Sequence, residues 1–122
     1  MFLQLNHTKL EVYATARSFV FACYQLTRQF PSEERFALSQ QIRRAATSVH
    51  LNIAEGSSRK SLADRKRFFE ISRGSLIEID AALDISADLG YFKIESIQSL
   101  GEALIKCFKL LTGLINASEK NN

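Results

Sequence analysis

Tryptophan is absent from this chain of 122 residues, proline and methionine occur once each, cysteine twice and glycine five times. So little proline and glycine excludes a collagen-like or linker-rich protein. Two cysteines make no framework for a secreted miniprotein, and no CxxC pair occurs for metal or redox chemistry. Cys23 and Cys107 lie among apolar residues and read as buried, reduced thiols of a cytoplasmic protein. No stretch approaches the ~18 apolar residues of a membrane span, so no membrane partner is expected. The opening MFLQLNHTKLEVY lacks the basic start and long apolar core of a secretory signal. Asn6-His7-Thr8 fits a glycosylation sequon but has no secretory context, and is read as chance.

Signals for catalysis are missing too. No glycine-rich phosphate loop follows a strand, and no Ser, His and Asp set has a recognisable spacing. A carboxylate-bridged di-metal bundle needs Glu three residues before His, but Gln4 precedes His7 and Thr47 precedes His50 at that spacing. Ser48 and His50, two apart on a helix, do not face each other. Asp80, Asp84 and Asp88 share one helix side, yet no loop supplies the remaining ligands of a cation site, and a solvated face is the plainer reading. They stand near the negative end of their helix, where Lys106, Lys109 or a neighbouring subunit would balance them. No catalytic residue, metal or cofactor is therefore expected.

What the chain does have is 46% hydrophobic residues, enough for a packed core, and a basic middle. Its net charge is +3, but Arg28 to Arg73 holds ten basic and five acidic side chains, a local +5 that leaves −2 for the remainder. One positive face could meet nucleic acid or an acidic partner.

Breaker residues cluster at three places only, Gln29 to Ser32, Gly56 to Lys60 and Leu89 to Lys93, and divide the chain into four segments. Apolar residues recur at threes and fours in each, and none alternates with period two. The reading is all-α, a single domain over 1–122: an up-down-up-down antiparallel four-helix bundle with helices at about 8–29, 33–56, 61–89 and 94–117 and a frayed tail at 118–122. Thr8 with Glu11 and Ser61 with Asp64 are spaced as capping boxes, and Ser32 stands as the cap of the second helix. Gly56 is expected to end the second helix and Gly90 the third, while Ala45, Ala46 and Gly74 would let helices approach closely. The predicted stripes include Tyr13, Ala16, Val20, Cys23 and Leu26 in the first helix and Ile97, Leu100, Leu104, Phe108, Leu111 and Ile115 in the fourth. Off-stripe residues such as Leu51, Ile71, Ile85 and Ile105 widen the apolar faces beyond one core and point to self-association.

Gln41 to Arg59, QIRRAATSVHLNIAEGSSR, carries the most information. Gln41, Arg44, Ser48, Asn52, Glu55 and Arg59 fall on a narrow arc about 100° from the apolar stripe, a polar seam beside the core. Asn52 and Glu55 would bond groups on the third helix such as Arg73 and Ser75 and fix its register. In a second reading, compatible with the first, Arg43, Arg44, Arg59 and Lys60 face outward and take phosphates, with Arg65, Lys66 and Arg67 extending the patch.

The segments FPSEERFALSQQIRRAATSVHLNIAEGSSR, Phe30 to Arg59, and FFEISRGSLIEID, Phe68 to Asp80, resemble the small four helix bundle proteins that include those encoded by intervening sequences in bacterial large-subunit ribosomal RNA genes. The RRAA, NIAEG and RGS elements carry the resemblance, which spans about Leu10 to Ala117. It implies a cytoplasmic, non-enzymatic bundle assembling as a homopentamer. More distantly, the family is similar to the accessory protein of diversity-generating retroelements, a basic pentamer associated with reverse transcriptase and nucleic acid. The functional expectation is a homo-oligomeric nucleic-acid-binding module, with RNA preferred by the resemblance. The alternative is a scaffold for a partner enzyme such as a reverse transcriptase.

Overall fold

The computed structural model describes residues 1–120 and is all-helical: α1 (Glu11–Thr27), α2 (Leu38–Ser58), α3 (Leu62–Asp88) and α4 (Gln98–Lys120). Each helix packs on its neighbours in sequence and α4 closes back on α1, the cyclic contact pattern of a four-helix bundle. The α2–α3 contacts run antiparallel, since Gln41 meets Glu78, Ser48 meets Ser75 and Gly56 meets Phe69. No helix among the described residues is long and apolar enough to cross a membrane.

The helix starts differ from the spacing-based expectation. Asn6–Lys9 is a short 3-10 turn in which the Thr8 hydroxyl donates to the Leu5 carbonyl at 2.8 Å, and α1 begins only after extended Leu10, so Thr8 and Glu11 form no capping box. Ser32–Glu34 is another 3-10 turn, and α2 starts after Ala37 rather than at Ser32. Its first amide, at Leu38, donates to the Glu34 carboxylate at 3.4 Å. The other Glu34 oxygen accepts from the Tyr91 hydroxyl at 2.5 Å, tying the two turns at this end of the bundle. That bond pushes the Tyr91 phenol up to about 12. Ile94–Ile97 forms a third 3-10 turn ahead of α4. Ser61 does cap α3, accepting from the Asp64 amide at 3.1 Å, and Gly90 adopts φ +80° after α3, a conformation that only glycine enters cheaply.

The expected tail at 118–122 is helical through Lys120, with Ser118 buried and bonded to the Leu114 carbonyl; residues 121–122 lie outside the described residues. Ile42, Val49, Ile53, Leu76, Ile79, Leu111 and Ile115 are fully buried, each stabilising the fold by about 1.5–3 kcal/mol. In α1 the core face is Val12, Ala16, Phe19, Cys23 and Leu26, with Tyr13 and Val20 at its edge. In α4, Cys107 fills the core position that the stripe assigned to Phe108, which is 36% exposed. Burial raises the Cys23 thiol to about 12 and Cys107 to about 11, which keeps both protonated.

Helix α2 lies closest to α3. The chain stays helical through Gly56, whose role is space: a Cβ there would stand 2.8 Å from the Phe69 ring. Gly74, by contrast, faces open space, and no close approach depends on it. Ser72 sits fully buried between the helices and donates to the Val49 carbonyl at 2.8 Å. On the opposite side of α2, His50 stacks on Tyr13 at 4.3 Å between centroids, and Tyr13 meets the edge of His7 at 4.8 Å. The His50 Nδ1 is buried without a hydrogen-bond partner among the described residues.

Gly56→Ala should therefore destabilise the protein by about 1–3 kcal/mol in urea melts, because overpacking against Phe69 outweighs the better helix former. Gly74→Ala should stabilise it by up to about 1 kcal/mol. Burial, then Arg17 and His7, hold the His50 pKa below the ordinary 6.5. The unfolded chain thus binds this proton more readily, and stability falls as pH drops through and below 6.5. Between about pH 7.5 and 5, the melting temperature of a His50→Phe variant should fall less than that of the parent.

Candidate nucleic-acid interface

The α2–α3 turn is short because one helix ends and the next is capped within three residues, Arg59, Lys60 and Ser61. Arg59 is extended at φ −77°, and its amide bonds the Gly56 carbonyl at 3.2 Å. Its own carbonyl accepts from Nε of Arg65, one turn into α3, at 2.7 Å. Arg59 and Lys60, directly after α2, meet the negative end of its dipole, which favours them. The Arg59 guanidinium pairs with Glu55 at 2.9 Å and lies over the Phe68 ring at 4.8 Å. Arg67 lies over the same ring at 4.6 Å. Between Glu55 and Arg67 there are five cations and two carboxylates. Lys66 is likewise paired, with Glu119 at 3.1 Å, and that carboxylate holds its ammonium pKa above the ordinary value. Lys60 and Arg67 are exposed and have no carboxylate partner among the described residues.

The seven cations expected to form one patch are not contiguous. Arg43 turns toward α1: its Nε donates to the Thr27 hydroxyl at 2.7 Å, and its guanidinium covers Tyr24 at 4.8 Å. It is half-buried and occupied in the α1–α2 contact, a correction to its reading as an outward phosphate ligand. Arg44, the next residue, is about 100° further round α2 and exposed. It lines a polar recess of about 480 Å3 between α2 and α3, with Phe36, Gln41, Ser48, Ser75 and Glu78. Sixteen residues separate Arg43 from Arg59, about 24 Å along the helix. Arg59, Lys60, Arg65 and Arg67 are the cluster that the fold gathers.

The seam residues also divide. Gln41 Nε2 donates to Glu78 at 3.1 Å, and the Ser75 hydroxyl lies 3.0 Å from that of Ser48, so these positions bridge α2 and α3. Asn52 instead bonds its own helix, donating to the Ser48 carbonyl at 2.8 Å and hydroxyl at 3.0 Å, while Glu55 is held by Arg59. Arg73 lies on the other side of α3, bonded to Thr112 of α4 at 3.2 Å and placed 5.8 Å from the Phe108 ring. The sequence reading missed Ser72. Its place on the α3 core stripe, one turn from Phe69 and Leu76, was the available signal, because a buried hydroxyl there needs an acceptor.

Among the described residues, no group of three or more His, Cys, Asp or Glu side chains gathers to hold a metal ion. Asp80, Asp84 and Asp88 are exposed, and Lys106 pairs with Glu11 of α1 at 2.9 Å rather than with them.

The protein has relatives of known structure. A protein of unknown function from the S23 ribosomal protein family of Bacteroides thetaiotaomicron is 25% identical and superposes with a TM-score of 0.78, covering 86% of this chain and 95% of its own. No curated protein matches. Residues 8–113 match the model of one family, and the chain belongs to it: the 23S rRNA-intervening sequence proteins.

Proposed function

We propose that this member of the 23S rRNA-intervening sequence family is a non-catalytic, homo-oligomeric RNA-binding module whose α2–α3 corner meets phosphate. The observation that carries the reading is the pair of exposed cations at that corner, Lys60 and Arg67, free of carboxylate partners among the described residues and flanked by Arg59 and Arg65. Phosphate contacts need only positive charge at the right spacing, and they confer affinity with little sequence preference. RNA is chosen over DNA on the family's association with a ribosomal RNA gene element.

Oligomerisation is proposed from the apolar surface. Ile77 and Ile105 are 57% and 55% exposed, and with Phe108 they line a groove of about 340 Å3 between α3 and α4, rimmed by Asp80 and Lys109. A monomer leaves this strip in water, whereas a second copy would cover it and present both charge signs at the rim. The resemblance to pentameric relatives sets the expected number at five. Five modest corners acting together would bind far more tightly than one, which suits a subunit of only +3. The protein is placed in the cytoplasm on the same reading.

The test is the affinity of nuclease-treated protein for a structured RNA across a salt series. A steep loss of binding with salt is expected, because each neutralised phosphate releases counterions. Lys60→Glu combined with Arg67→Glu should abolish most binding while leaving the melting temperature and assembly size unchanged. Arg43→Ala should lower stability by about 1–2 kcal/mol through loss of its Thr27 and Tyr24 contacts, with binding retained. No binding at low salt would overturn the reading and direct attention to a protein-interaction scaffold.

A further inference from the structure

The bundle end that carries the basic corner also contains a cavity of about 380 Å3, within the range of about 300–1,000 Å3 usual for sites that enclose a small ligand. Leu62 and Phe69 of α3 and Leu114 of α4 supply apolar walls, and Asn6, Ser57, Arg65 and Ser118 its polar positions. Ser57 and Ser118 are already spent, since their hydroxyls donate to the Ile53 and Leu114 carbonyls at 2.7 and 2.9 Å. Asn6 is exposed and its amide group has no partner among the described residues. Arg65 belongs to both features. Its Nε fixes the turn through the Arg59 carbonyl, while the residue also lines the cavity and its guanidinium carries further N–H groups to donate.

Apolar walls with a few donors and an acceptor at one edge, opening beside unpaired cations, match a nucleotide. A base has two apolar faces and a polar edge, and its phosphates are anionic. In a duplex that base is stacked and out of reach, so only a strand with unpaired residues can supply it. Resting on the phosphate-binding reading of the corner, we propose that the ligand taken there is unpaired RNA, with phosphates on Lys60 and Arg67 and one base in the cavity, its edge bonded by Asn6 and Arg65. Phe68 serves the same end. It holds the guanidiniums of Arg59 and Arg67 against its ring at 4.8 and 4.6 Å, and flat guanidinium faces accept a neighbouring base by stacking.

Electrostatics makes the proposal sharp. A duplex carries its phosphates more densely than a single strand, so a surface that reads charge alone binds the duplex at least as well. Preference for the single strand requires contacts to bases. The experiment uses the full-length, nuclease-treated protein and fluorescence anisotropy with a labelled single-stranded RNA of about twelve nucleotides and with its blunt duplex, at matched salt. The single strand should bind about tenfold more tightly or better. Asn6→Ala should weaken single-strand binding several-fold and leave duplex binding unchanged, and Phe68→Leu should weaken single-strand binding by a larger factor than duplex binding. A 2-aminopurine placed in the strand should change its emission on binding in the parent and change it less in Asn6→Ala. Equal or tighter binding of the duplex, with both variants neutral, would overturn this inference and leave the phosphate-binding corner standing. Failure of both RNAs to bind at low salt would overturn the corner reading itself, and this inference with it.

Discussion

The close approach of α2 to α3 is the constraint on which the rest of the structure depends. At Gly56 the missing side chain makes room for the Phe69 ring, and a few residues away the buried Ser72 hydroxyl reaches the Val49 carbonyl. Both contacts demand small residues and short distances, and both fix the register of one helix against the other. With the helices that near, three residues suffice to join them, and Ser61 can cap α3 at once. The corner cations inherit this rigidity. Arg65 reaches back to the Arg59 carbonyl, and Arg59 settles over Phe68, because the turn holds them there.

How the cations are employed matters more than how many there are. Arg43 is spent on the α1–α2 contact, Lys66 on Glu119 and Lys106 on Glu11, while Arg59 is shared with Glu55. Surface pairs of this kind add little stability, usually below about 1 kcal/mol, but they do reduce the charge offered to a phosphate chain. At the α2–α3 corner, what remains without a carboxylate partner among the described residues is a small set, Lys60, Arg65 and Arg67. A surface so limited would gain by repetition, and on the proposed assembly the exposed apolar strip on α3 and α4 would give the subunit contact a place apart from the corner.

Helix number, order and packing scheme were legible because breaker residues and apolar periodicity are local signals. The starts of α1 and α2 were not. Thr8 and Ser32 have the chemistry of caps, yet each lies in a 3-10 turn, and the true first turns follow Leu10 and Ala37, which offer no side-chain cap. Gly56 read as a terminator because glycine often is one; its packing role depends on Phe69, thirteen residues away across the turn. In the site, angular position on α2 correctly put Gln41 and Ser48 at the edge beside α3. It did not fix the partners: Asn52 and Glu55, expected to bond groups on α3 such as Arg73 and Ser75, serve their own helix, and Arg73 faces α4. Adjacent residues on a helix point about 100° apart, which is why Arg43 and Arg44, inseparable in a charge count, end in different contacts.

That separation bears on how such a bundle would discriminate among ligands. Lys60 and Arg67 offer charge, and charge alone holds any phosphate chain. Discrimination needs groups with direction. At this end of the molecule those are the Asn6 amide and the Arg65 guanidinium, set beside apolar walls that the bundle core supplies as it closes. On the proposed reading, attraction lies on the outside of the α2–α3 turn and selectivity at the mouth of the core. Arg65 joins the two, since the bond from its Nε to the Arg59 carbonyl fixes both the turn and the direction in which its remaining donors point.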